Sequence, residues 1–298
     1  MRELVTTAIN PPPKVSGVDR VGIGWRPELG LGILEQIEQI DLIEVLAEHC
    51  FSLRNAELKA FKRLSSQTTL VVHALSLGLA SVLPVKASQL AAVARVVAAI
   101  EPEAWSEHLA FVRTEQIELE HLTTPPWSEE TIEGALRNIQ TATQVIGSKP
   151  DLENIARLYQ PLASSLSEAQ WTARILERAD CRLLLDLENI YANARTFRTD
   201  WREDLLSFPL QRVRYVHIAG GQEAHDQQGE YFLDDHKQPV SPEVFEMLEI
   251  LAATVPQPLA VVLERDGNYP DFNQLQAELT QAREAMARGR ARQALLVA

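Results

Sequence analysis

The chain has 298 residues, 46% hydrophobic and 23% charged, with a formal net charge of −13. That length and composition support a large buried core, as two ordinary domains or one α/β barrel, while the acidic balance argues against a general binder of nucleic acid or anionic membrane, which needs a basic surface. Cys50 and Cys181 stand far apart without a CxxC, no run approaches the roughly 20 apolar residues of a membrane span, and MRELVTTAINPPPK has no apolar signal core, so the expected address is cytoplasmic.

Residues 1–17 read as a proline-rich arm. Beyond them one grammar recurs: a short run rich in β-branched residues or leucine, then polar residues, then a longer helical segment. The runs are VGIGWR (21–26), DLIEVLAEH (41–49), TLVVHAL (69–75), AWSEHLAF (104–111), PDLENI (150–155), CRLLLDLEN (181–189), VRYVHIAGG (213–221) and LAVVLERDG (259–267). ASQLAAVARVVAAI and SEETIEGALRNIQTATQVI show the clearest helical spacing between them. Ser167 with Gln170 forms a capping-box signal, and Ser241 precedes Pro242 at a first helical position.

Eight strand–helix units imply parallel pairing and a single-domain TIM-type (β/α)8 barrel over residues 18–298, closed by a helix and tail from 271 to 298. An open doubly wound sheet is the competitor, but it places its ligand at one switch point. Here nearly every run ends in groups that bind metal or exchange protons. The basic stretch REAMARGRARQALLVA reads as a solvated helix face.

In a parallel barrel the carboxyl ends of all strands face one mouth. His73, His108, Glu153, Asp186 with Asn189, His217 and Glu264 therefore converge, and the loop LDDHKQPV adds Asp234, Asp235 and His236. Any one of them alone is weak: a single histidine after a strand is commonly structural, and a single aspartate is often a helix N-cap. Together, so many carboxylates and imidazoles would suffer desolvation and mutual repulsion, which cations relieve. A site of more than one ion is the economical reading. Imidazole and carboxylate without thiolate suit iron, manganese or zinc.

GIGWRPEL, EVLAEHCF, HALSLGLAS, SEHLAF, LENIARLY, LLLDLENIYANA, VHIAGG, LDDHKQPV and LERDGNYP resemble, in order and spacing, the motifs of the multinuclear non-haem iron-dependent oxidative enzymes, from about residue 20 to 272. That family includes the methanobactin biosynthesis oxidase and other enzymes that modify ribosomally made peptides. The resemblance implies a barrel holding two or three iron ions in mixed Fe(II)/Fe(III) state, with O2 as co-substrate. It implies His73, His108, Glu153, Asp186, Asn189, His217, Asp234, His236 and Glu264 as ligands, with Glu153 bridging and Asp234 and Glu264 also catalytic. Glu44, Glu48 and Asn154 match family positions and are expected to support the ligands. The implied substrate is a ribosomal precursor peptide, oxidised at cysteine by loss of hydrogen from the carbon beside sulfur. A small leader-recognising partner protein is expected.

Two positions depart from the family pattern. Glu188 stands where asparagine is usual, and Gly221 where histidine is common. Glu188 reads as a solvated loop residue, or alternatively as an extra acidic group near the metal. His225 reads as a flexible-loop residue, or as a replacement for the missing histidine. Arg26 and Arg265 are candidates for holding a substrate carboxylate, against simple salt bridges. Trp25 and Trp105 read as core, and both cysteines as buried inert thiols. Two other classes stay open: a divalent-metal hydrolase or isomerase on the same barrel, and a non-catalytic metal- or peptide-binding protein.

Overall fold

All eight apolar runs form strands. The computed structural model describes residues 17–226 and 229–297, so the arm expected over 1–17 lies outside the described residues except for Gly17. In chain order the strands are β1 (Arg20–Gly24), β2 (Leu42–Leu46), β3 (Thr69–Ala74), β4 (Ala104–His108), β5 (Phe111–Arg113), β6 (Glu118–Thr123), β7 (Asp151–Glu153), β8 (Arg182–Asp186), β9 (Val213–Ile218), β10 (Gln222–Asp226), β11 (Gly229–Leu233) and β12 (Ala260–Leu263). The helices are α1 (Gly30–Glu35), α2 (Asn55–Leu64), α3 (Ala87–Ile100), α4 (Glu129–Ile146), α5 (Glu168–Ala179), α6 (Leu187–Phe197), α7 (Trp201–Ser207), α8 (Pro242–Thr254) and α9 (Phe272–Val297). Strands β1, β2, β3, β4, β7, β8, β9 and β12 close into a barrel in the order β1-β12-β9-β8-β7-β4-β3-β2, every pair parallel. The expected (β/α)8 barrel is the fold.

The helices begin and end where local chemistry dictates. Ser167 and Gln170 cap each other reciprocally at the start of α5, and Ser241 accepts from Val244 N with Pro242 opening α8. Leu90, Val93, Val96 and Ile100 form the buried stripe of α3. Gly289 lets α9 lie close on α8, since a Cβ there would strike the Glu249 carbonyl. The basic segment of α9 is more than a solvated face. Arg288 and Arg292 pair with Glu249, and Arg290 pairs with Asp19 and donates to the Ala252, Val255 and Gln257 carbonyls. No helix among the described residues is long and apolar enough to cross a membrane.

Strand alternation sorts the core. Ile43, Val45, Val72, Trp105, Leu152, Leu183, Leu185, Val216, Ile218, Val261 and Leu263 belong to the large cluster with the helices. Leu42, Val71, Leu184, Tyr215, Ala260 and Val262 form a separate small cluster of the opposite parity, inside the barrel. Near the amino-terminal ends of the strands, Glu103 accepts from Arg20 at 2.8 Å and Tyr215 at 2.5 Å and pairs with Arg214 at 3.4 Å. Two antiparallel hairpins, β5–β6 and β10–β11, rise beyond β4 and β9. Neither was expected from the sequence.

Candidate metal centre

Five of the barrel strands carry a functional side chain two residues beyond an inward apolar one: Leu42 then Glu44, Val71 then His73, Leu184 then Asp186, Tyr215 then His217, Val262 then Glu264. The two-residue pleat therefore aims the polar groups into the same interior as the small apolar cluster below them. Register sets their height. His73 is level with Ser106, His108 with Glu153, and Asp186 with His217.

The result is four overlapping ligand sets, one of Glu44, His217 and Glu264 and three more linked in a row by shared residues. His73, His108 and Glu153 form the first, Glu153, Asp186 and His217 the second, and Asp186, His236 and Glu264 the third, with the ligand atoms of each set within 4.8 Å of one another. Glu153 joins the first two: its Oε2 lies 3.3 Å from Nε2 of both His73 and His108, and its Oε1 lies 3.2 Å from His217 Nδ1. Glu264 Oε2 likewise lies 3.2 Å from His217 Nδ1 and 3.4 Å from His236 Nδ1. Asp234 Oδ1 is 2.8 Å from His236 Nε2 but is not aligned for a hydrogen bond.

Surrounding groups orient these ligands. His217 Nε2 faces Glu44 Oε2 at 3.0 Å; with an ion bound, an Nε2–H donating to Glu44 would leave the Nδ1 lone pair for the ion. His73 Nδ1 bonds Ser106 Oγ at 2.8 Å, which frees its Nε2 in the same way. Asp186 Oδ1 caps α6 by accepting from Asn189 N at 2.7 Å, while Oδ2 stays free. Asn189 Nδ2 donates to the Asn154 carbonyl, which turns its Oδ1 outward with no partner. His236 adopts a left-handed backbone (φ 54°), and its carbonyl accepts from Asp266 N at 2.8 Å. Strained backbone of this kind concentrates at functional sites.

The donor set fits cations. Glu44 Oε1, Glu153 Oε2, Asp186 Oδ2, both Glu188 oxygens, Asn189 Oδ1 and Asp234 Oδ1 are buried acceptors without a hydrogen-bond partner. A buried acceptor left unrelieved costs roughly 1–3 kcal/mol, and Glu153 Oε2 and Asp234 Oδ1 have only nearby imidazoles to offset that. Ions relieve that cost, and the all-nitrogen-and-oxygen set suits iron, manganese or zinc.

In the ion-free chain the imidazoles and carboxylates compensate each other. Burial disfavours the His217 imidazolium, but Glu264, Glu44 and Glu153 outweigh it and hold its pKa well above the ordinary value. Burial likewise pushes the Glu153 carboxyl up, yet His108, His217 and His73 bring it down to about 2. Burial, then Glu153 and Asp234, holds the Asp186 carboxyl well above the usual range.

The cavity over this centre holds about 250 Å³ and is walled by Leu46, Leu75, Leu122, Ile155, Leu158 and Phe232. Among the remaining candidates, Arg26 lines it but is engaged, 2.6 Å from Asp266 and 3.6 Å from Glu264. Arg265 is turned away from the mouth and bonds both oxygens of Glu278 on α9. Glu48 accepts from the Leu75 and Ser76 amides and fixes the loop after β3. Asn154 bonds the Asp186 backbone on both sides.

The solvated-loop reading of Glu188 is wrong. The residue sits in the first turn of α6 with 0% exposure, because Gly221 leaves room for its side chain. Burial, then Asp234 and Asp186, raises its carboxyl well above the usual range. His225 lies on β10, exposed and paired with Glu230, rather than in a flexible loop. Trp105 is core, and Trp25 packs edge-on against Phe61. Burial pushes the Cys50 thiol up to about 11 and the Cys181 thiol to about 12, so both are inert.

Sequence reasoning missed Ser106, His121, Arg157 and Asp266. Ser106 was recoverable from alternation, two residues before His108. His121 reaches the cavity from the unexpected β6, and Arg157 does so from the loop after β7, with its guanidinium stacked on Trp127 and Phe197. Asp266 lies beyond the last strand, 3.3 Å from His236 Nδ1.

The fold and the cluster define a (β/α)8 barrel with a buried histidine–carboxylate centre at its carboxyl-terminal mouth. Residues 20–287 match the RiPP precursor modification enzyme MbnB/TglH/ChrH family, and the chain belongs to that family. A UPF0276 protein of Pseudomonas aeruginosa is 31% identical over 275 residues, covering 91% of this chain and 94% of that protein. A xylose isomerase domain protein from Planctomyces limnophilus superposes with a TM-score of 0.59 at 16% identity, covering 93% of this chain and 99% of that one. Endonuclease IV from Thermus thermophilus superposes with a TM-score of 0.52 at 16% identity, covering 89% and 99%. At such identities the two structures share the fold alone.

Proposed function

We propose that this protein is a cytoplasmic iron- and O2-dependent oxidase that modifies a ribosomally synthesised precursor peptide at cysteine. The observation that carries this reading is the row of three ligand sets joined through Glu153 and Asp186, in a chain of the precursor-modifying family. His73, His108, Glu153, Asp186, Asn189, His217, Asp234, His236 and Glu264 would hold two or three irons. Iron bound there would supply oxygen activation and an anchor for a substrate thiolate.

The chain's own groups do the rest. Glu44 and Ser106 fix the histidine tautomers, and Asn154 fixes Asp186. Arg26 holds Glu264 and Asp266 in place against their mutual repulsion. The apolar residues of the cavity wall would shield the reacting carbon from bulk water, and a cavity of about 250 Å³ would admit a residue or two of an extended peptide. Asp234, at the cavity edge with an unpartnered Oδ1, is the group disposed to take the proton released from substrate. A separate small protein that recognises the peptide leader completes the proposal.

Metal analysis of protein expressed with ample iron, with Mössbauer and paramagnetic resonance spectra before and after reduction, tests it. Two or more coupled irons per chain support the oxidase. Stoichiometric zinc, no iron uptake after anaerobic reconstitution and hydrolytic turnover would replace it with the hydrolase reading, and tight binding without turnover would leave a binding protein.

A further inference from the structure

Glu188 is a buried carboxylate with no ion pair among the described residues. It is 0% exposed, and neither oxygen accepts a hydrogen bond; the Gly221 amide faces it without closing one. Its position in the first turn of α6 favours negative charge through the helix dipole, but a dipole end alone compensates only part of a full buried charge. The side chain is held in place by an absence. A Cβ at Gly221 would come within 2.9 Å of Glu188 Oε1 and 2.5 Å of Phe232, and closer still to the Leu233 carbonyl. Gly221 thus opens the slot through which Glu188 reaches the end of β11, next to Asp234.

The charged groups around Glu188 are Asp234, Asp186 and His236. Asp186 and His236 belong to the outermost of the three linked ligand sets, and Asp186 Oδ2, Asn189 Oδ1 and Asp234 Oδ1 beside them are unpartnered too. Glu188 itself belongs to none of the close ligand sets among the described residues. Nor does it line the cavity, so it is not placed to touch substrate.

We infer that Glu188 is a positioning carboxylate for the outer cation site at Asp186, His236 and Glu264, retaining an ion there by its charge rather than by coordination. A cation at that site would offset the charge of Glu188 together with that of its neighbours Asp186 and Asp234, whose Oδ2 and Oδ1 have no hydrogen-bond partner. Of the other two linked sets, His73, His108 and Glu153 share no ligand with the outer one, whereas Glu153, Asp186 and His217 share Asp186 with it. The inference rests on the multinuclear reading above and adds that the outer site depends on a residue that is not a ligand.

The test uses the full chain, titrated anaerobically with Fe(II) and separately with Zn(II), then dialysed against a weak chelator and counted for ions. For the wild type we expect one more retained ion than for Glu188→Gln, which keeps the shape and loses the charge, with outer-site affinity reduced at least tenfold and the site of His73, His108 and Glu153 unchanged. Glu188→Asp, which keeps the charge, should retain most of that affinity; a role in packing alone would spare Gln and penalise Asp. It also serves as the informative variant if Gln impairs folding. Equal ion counts and equal retention for wild type and Glu188→Gln overturn this inference while leaving the iron reading intact. A difference seen with zinc in a chain that takes no iron upholds the inference and removes the oxidase, and a wild type that binds neither ion overturns both.

Discussion

Asn154 and Asp186 bond each other across neighbouring strands through a side chain that behaves like backbone. Asn154 Nδ2 donates to the Asp186 carbonyl and Asn154 Oδ1 accepts from the Asp186 amide, both at 2.9 Å. The end of β8 is thereby fixed just where α6 begins, so Asp186 can cap the helix with one oxygen and present the other to the centre. Asn154→Ala removes both bonds in a buried place and should cost about 2–4 kcal/mol. Urea unfolding should show the loss, and metal analysis should show the central ion missing; full stability with full metal content would mean that Asp186 needs no such brace.

Glu44 acts on the centre through His217. With Nε2–H held by Glu44, the ring offers Nδ1 to the ligand sets that share it. Glu44→Gln keeps an acceptor and loses the charge, and we expect roughly tenfold weaker metal binding, rising to about 100-fold for Glu44→Ala. Equilibrium titration with Fe(II) measures both. An unchanged affinity for the alanine variant would show that the tautomer is fixed by something else.

Removing metal should weaken the whole fold, because the partnerless acceptors of the mouth lie in the barrel interior. Saturation of one site at 100 times its dissociation constant adds about 2.7 kcal/mol, which corresponds to roughly 4 °C in a chain of this size. Calorimetry of loaded and chelated protein should show at least that fall. Identical midpoints would argue that the site binds no ion tightly.

The pair between Asp19 and Arg290 ties the start of β1 to α9, with Arg290 Nη2 and Nε at 2.7 and 2.8 Å from the two carboxylate oxygens. Half-burial pushes the Asp19 carboxyl up, but Arg290 and the Leu259 amide outweigh it and hold the pKa below 3.8. In the window between the lowered and the ordinary value the unfolded chain binds more protons than the folded one, so stability rises with pH there. The contribution, about 1–2 kcal/mol for a charge-assisted pair, is complete above pH 4 and is lost as pH falls through the folded value. Asp19→Asn should flatten that acid limb and cost little of the fold once the pH lies below the folded value; an unaltered acid limb would deny the linkage.

Much of the site was legible because a parallel barrel converts sequence order into spatial order. Once eight strand–helix units are recognised, residues at eight strand ends must share one mouth. His73, His108, Glu153, Asp186, His217 and Glu264 were placed together on that ground alone. What alternation and strand ends could not convey came from loops and from packing. His121 reaches the cavity on a hairpin whose short strands carry no strong apolar pattern, and Arg157 and Asp266 arrive from loops.

The sequence by itself therefore determined the barrel, the sense of its strands and the chemistry collected at its mouth, because pleat and helical period are written in local residue order. Only the tertiary structure decided how that chemistry is divided. Glu153 stands between one histidine pair and His217 because β4 and β7 happen to be in register at His108. Glu188 is buried, not solvated, because a glycine thirty-odd positions away, on another loop, leaves the room. Neither is a property of any single segment, since each depends on the closest approach of two parts of the chain that only the closed barrel brings together.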